Sequence, residues 1–116
     1  MTEITFKTLA TMSQEERGRT YIETAIDDFI ADIIHQYQWG ELDHYGYSER
    51  SFSIVDELGM TQEIILETLE RKLDISYQFK IEQNMFAFGQ HVEVRIDNDY
   101  IHEYFESHPI KRLGYL

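Results

Sequence analysis

Between Ser13 and Gly40 the apolar residues Ile22, Ile26, Phe29, Ile30, Ile33 and Tyr37 recur every three or four positions. At 3.6 residues per turn they fall on one side of a helix. A stripe of that length must be buried, so the rest of the chain has to supply a surface to cover it. Ser13-Gln14-Glu15-Glu16 reads as a capping box, with Ser13 as N-cap and Glu16 reaching back to it. Gly40 marks the stop, and Gly18 weakens the first turn slightly.

The other segments are shorter. "EITFKTL" alternates Ile4, Phe6 and Thr8, a brief strand signal. "WGELDHYGYSER" reads as a loop punctuated by Gly40 and Gly46. "SFSIV" fits either a short strand through Phe52 and Ile54 or the first turn of a helix. Gly59 breaks the chain, and Thr61 caps a helix that turns Ile65, Leu66, Leu69 and Leu73 inward. "DISYQFKIE" sets Ile75, Tyr77, Phe79 and Ile81 against Ser76, Gln78 and Lys80, as in a half-buried strand. Gln83-Asn84 suits a turn, and a second strand follows through Val92, Val94 and Ile96, with Gly89 placed for a bulge. Asp97 or Asn98 caps a last helix carrying Ile101, Tyr104 and Phe105, which Pro109 ends. The expected class is α+β: a small antiparallel β-sheet packed with one long N-terminal helix and two shorter helices. The 116 residues suit a single domain, 1–116.

Charge narrows the function. The chain holds 22 Asp and Glu against 10 Lys and Arg, a net charge of -12. Such a surface is a poor ligand for nucleic acid or for anionic membrane, both of which select Lys and Arg. It suits a cationic partner met by electrostatic steering, although net charge also simply keeps a small protein soluble. With no cysteine there is no disulfide and no thiolate chemistry. No signal peptide and no apolar run of about 20 residues is visible, so a cytoplasmic monomer is expected.

The acids are also clustered. Residues 20–49 and 96–110 contain neither Lys nor Arg. On the long helix Glu16, Glu23 and Asp27 take one shoulder of the exposed face, and Asp28 and Asp32 take the other. Asp28 and Asp32 lie one turn apart, and like charges at that spacing cost a few tenths of a kcal/mol unless something compensates them. Glu41 and Asp43 follow in the loop. Asp97, Asp99, Glu103 and Glu106 form the second block, of which the first two also complement a helix N-terminus. Trp39, Tyr45 and Tyr47 lie near the first block. They read as packing or as an aromatic rim able to anchor an interface and to stack on Arg or Lys.

Catalytic readings are thin. Asp28, Asp32 and His35, or His102, Glu106 and His108, share helix faces without a metal-site spacing. Asp97 and Asp99 begin like a calcium loop, but Ile101 stands where a third ligand belongs. Glu41, Asp43 and His44 are acid–base groups with no nucleophile or cofactor fingerprint beside them. Neither an enzyme nor a bound cofactor or metal is expected.

Small size, acidity, absence of cysteine and the two Lys/Arg-free stretches resemble the small bacterial DNA-mimic proteins, in particular the family that binds the histone-like protein HU. The resemblance implies a non-catalytic protein whose carboxylates occupy the DNA site of a basic protein and compete with DNA. An immunity protein, antitoxin or anti-restriction type inhibitor of a nuclease is the alternative from the same electrostatics.

Overall fold

The computed structural model describes residues 5–86 and 88–109. It is α+β. A six-residue helix, α1 (Phe6–Thr11), precedes the long helix α2 (Gln14–Gln38). Strand β1 (Tyr47–Ile54) follows, then a 3-10 turn over Asp56–Leu58 and helix α3 (Gln62–Lys72). A hairpin of β2 (Gln78–Gln83) and β3 (Gln90–Asp97) comes next, then helix α4 (Asn98–Ser107). The sheet is antiparallel in the order β1-β3-β2. Among the described residues no helix is long and apolar enough to cross a membrane.

The expected N-caps are present, without the return bond from the Glu16 side chain to Ser13 among the described residues. The Ser13 hydroxyl accepts from the Glu16 amide and that of Thr61 from the Ile64 amide, while the Asp97 carboxylate accepts from the Asp99 amide. The α2 stripe is buried at Ile22, Ile26, Phe29 and Ile33, against Ile65 and Leu69 of α3 and Phe52, Val92, Val94 and Ile96 of the sheet. Ile101 of α4 closes the same core. Strand β3 passes into α4 with no intervening loop, because Asp97 is both the last strand residue and the N-cap.

Several expectations change. Phe6 belongs to α1 and is exposed; Ile4 lies outside the described residues. The alternation in that segment spans too few residues to separate a period of 2 from one of 3.6. Residues Tyr47 to Arg50, read as loop, open β1. Their polarity reflects one solvent-facing side and a charged residue, Arg50, on the helix side. Residues 74–77 precede β2 instead of forming it. Gly89 (φ 110°) closes the hairpin connection, and the β2–β3 register runs without a bulge. Gly18 does more than weaken a turn. It is buried, and a Cβ there would overlap the Gly59 carbonyl and lie 2.8 Å from the Gly59 Cα. Gly59, in the left-handed region at φ 72°, would in turn drive a Cβ into the Gln14 carbonyl oxygen. Two glycines thus let α2 touch the 3-10 turn backbone to backbone.

A candidate partner-binding face

The first Lys/Arg-free block is neutralised from a distance. Arg50 of β1 reaches under α2, with one guanidinium nitrogen 3.2 Å from Asp28 Oδ2 and the other paired with Asp32. Its guanidinium also lies 5.4 Å from the Phe29 ring centroid. Partial burial pulls the Arg50 pKa down, but hydrogen bonds and charge from Asp28 and Asp32 outweigh it, so the value rises above its ordinary level. The other shoulder faces α3. Glu23 pairs with Arg71, and Asp27 Oδ1 accepts from Lys72 Nζ at 2.6 Å. Asp27 Oδ2 is buried with no hydrogen-bond partner among the described residues. Glu23 and Asp27 therefore belong to the α2–α3 seam, and the view of the first block as unpaired carboxylates is corrected.

This pairing reverses an expectation about stability. With only repulsion to relieve, Asp28→Asn with Asp32→Asn would help the fold. With Arg50 between them, the double variant is expected to lose about 0.5–1 kcal/mol in urea unfolding at low salt. A gain in stability would show that the Arg50 pairs contribute nothing.

Acids without an ion pair among the described residues collect elsewhere. Glu41 follows the end of α2, where its amide donates to the Gln36 carbonyl (2.8 Å) and the Gly40 amide to that of Tyr37 (3.2 Å). Gly40, at φ 69°, supplies the left-handed residue that this helix ending requires. The loop beyond is held at three points. Leu42 is buried, its carbonyl lies 2.9 Å from His102 Nε2 on α4, and the Asn98 amide donates to the Gly46 carbonyl (3.1 Å). The Ser48 hydroxyl adds a bond to Asn98 Oδ1 (2.8 Å). His44 stacks on His102 with ring centroids 3.9 Å apart, and Tyr37 packs on His102 and Phe105. The loop is thus fastened to α4, and Glu41 and Asp43 project from its exposed side.

Glu41 and Asp43 meet Asp32 of α2, paired with Arg50, and Glu49 of β1, whose carboxylate lies 3.5 Å from the Arg95 guanidinium, on a cleft of about 270 Å³ lined also by Tyr47 and Arg50. Asp99, Glu103 and Glu106 are exposed on α4, beyond the His44–His102 stack. Asp97 is spent on capping α4. Glu16 is exposed near the far end of α2, more than six turns from its C-terminus, and does not share this cleft.

Of the aromatic residues, Trp39 and Tyr45 are exposed, and Tyr47 lies on the outer face of β1 with the Arg95 guanidinium 4.7 Å from its ring centroid. Among the described residues the group placed to hold a metal ion is Glu82, His91 and Glu93, whose ligand atoms lie within 4.8 Å of one another. None of the three was singled out from sequence, because β2 and β3 bring them together. Lys80 Nζ stands 2.9 Å from Glu82 and 3.7 Å from Glu93, so an ammonium already offsets part of the charge of the group.

No family model matches the chain, nor does any curated protein or solved structure.

Proposed function

We propose that this protein is a non-catalytic binder of a basic DNA-binding protein, with its carboxylates occupying the positions that DNA phosphates take on that partner. The observation that carries the reading is the convergence of Asp32, Glu41, Asp43 and Glu49 on one open cleft, in which Arg50 holds Asp32 and Arg95 holds Glu49 while Glu41 and Asp43 make no ion pair among the described residues. Such a cleft accepts a Lys or Arg side chain by charge-assisted hydrogen bonds. Asp99, Glu103 and Glu106 add exposed carboxylates on α4, whose first residue, Asn98, lines the cleft. The histone-like protein HU is the favoured partner, on the resemblance drawn from the sequence.

The test is a competition titration of HU bound to labelled duplex DNA at two salt concentrations. Displacement of DNA that weakens at higher salt is expected, because the contacts are charge pairs. DNA that stays bound at both concentrations rejects HU as the partner. A nuclease inhibitor is the second reading, favoured by the exposed Trp39 and Tyr45 beside the acids. Buried aromatic anchors would make that complex tight and only weakly dependent on salt.

A further inference from the structure

The register places Phe79 opposite Val94 and Ile81 opposite Val92, hence on the helix-facing side of the sheet. Val92 and Val94 are fully buried, yet Phe79 is 48% and Ile81 37% exposed. The connection beyond adds the exposed Met85, Phe86 and Phe88. Strand β2 also has an open edge, since it pairs with β3 alone. A contiguous apolar hairpin with a free ladder is the arrangement that soluble proteins normally cover. We infer that β2 pairs antiparallel with β2 of a second copy of this chain, joining two three-stranded sheets into one of six.

Backbone geometry and charge together select the occupant. The Asn84 amide donates to the Gly89 carbonyl at 3.0 Å, so Asn84 points its backbone groups toward β3. By the alternation of an antiparallel ladder, Phe79, Ile81 and Gln83 point theirs toward the open edge. Two-fold pairing of β2 with itself over most of its length can centre on Lys80 or on Ile81. Centring on Lys80 sets two ammonium groups opposite each other. Centring on Ile81 makes Ile81 a hydrogen-bonded pair with its own counterpart. It also sets Lys80 against Glu82 of the second copy twice, at the closely spaced positions where side chains approach most. The segment Gln78-Phe79-Lys80-Ile81-Glu82-Gln83 is thus complementary to itself in charge and in apolar face.

Sedimentation of the whole protein from about 1 µM to about 1 mM should pass from monomer to dimer mass. Lys80→Glu and Glu82→Lys each turn both cross-strand pairs repulsive and should each weaken the dimer at least about tenfold. Mixing the two variants restores two Glu–Lys pairs, so the mixture should dimerise as a heterodimer near the strength of the original protein. Both side chains are on the solvent face, where Lys80 also pairs with Glu82 and Glu93 of its own chain, so circular dichroism will verify that each variant folds. A protein that stays monomeric at about 1 mM overturns the proposal. So does a dimer that both single variants form unchanged, or a mixture that associates no better than its parts.

Discussion

Replacing Gly18 by alanine should destabilise the fold by at least about 2 kcal/mol, whereas the same change in an ordinary helix interior stabilises by up to about 1 kcal/mol. The sign reverses because the new Cβ would meet backbone, the Gly59 carbonyl and Cα, which cannot rotate away as a side chain would. Relief requires α2 to move off the 3-10 turn, and that motion opens the packing of Ile22 and Ile26 on Ile64 and Ile65. Gly59→Ala should cost a similar amount, through the overlap with Gln14 and the positive φ together. Urea unfolding reads both as a lower midpoint with unchanged slope. A midpoint that rises for Gly18→Ala would mean that the two backbones can separate freely, and the account of the α2 anchor would fail.

The second large effect concerns binding. Glu41→Gln, Asp43→Asn, Glu103→Gln and Glu106→Gln combined should weaken capture of HU about a hundredfold at low salt, from four charge pairs of about 0.5–1 kcal/mol each. Stability should stay within about 1 kcal/mol, since all four side chains are exposed and make no ion pair among the described residues. Asp28→Asn with Asp32→Asn provides the contrast. Those two acids are committed to Arg50, so their loss should register more in unfolding than in binding. Calorimetric titration of all three proteins measures the difference. Equal affinity for the original and the fourfold variant would place the contact elsewhere on the molecule.

The long helix was legible because one apolar stripe repeats over 25 residues and both ends carry their cap residues, Ser13 and Gly40. The core was legible for the same reason at Ile65, Leu69, Val92, Val94 and Ile96. What a linear reading could not see was pairing at distance. Arg50 lies 22 and 18 residues from Asp28 and Asp32, while Arg71 and Lys72 lie 48 and 45 residues from Glu23 and Asp27. A stretch with no cation of its own therefore looked unbalanced although the fold balances most of it. Gly18 was misjudged for a related reason, because helix propensity is local and the constraint on that glycine comes from position 59. Of the acids marked as a binding surface, Asp32, Glu41 and Asp43 meet at one cleft. Glu23 and Asp27 became part of an interhelical seam. The cleft residue Glu49 closes the same Lys/Arg-free stretch and sits in the same loop reading as Glu41 and Asp43, but only the fold of β1 turns it toward the cleft.

The uninterrupted passage from β3 into α4 has a thermodynamic consequence. Strand β3 is hydrogen-bonded on both sides, and the helix bearing Asp99, Glu103 and Glu106 grows directly from its end. Ile101 in the core and the contact of His102 with the Leu42 carbonyl hold that helix against the rest of the fold. A cationic surface docking there would meet carboxylates on a held backbone, with their side chains still to order. The cost of ordering the backbone on this side would then be small, and the entropy given up would fall on side chains of both partners.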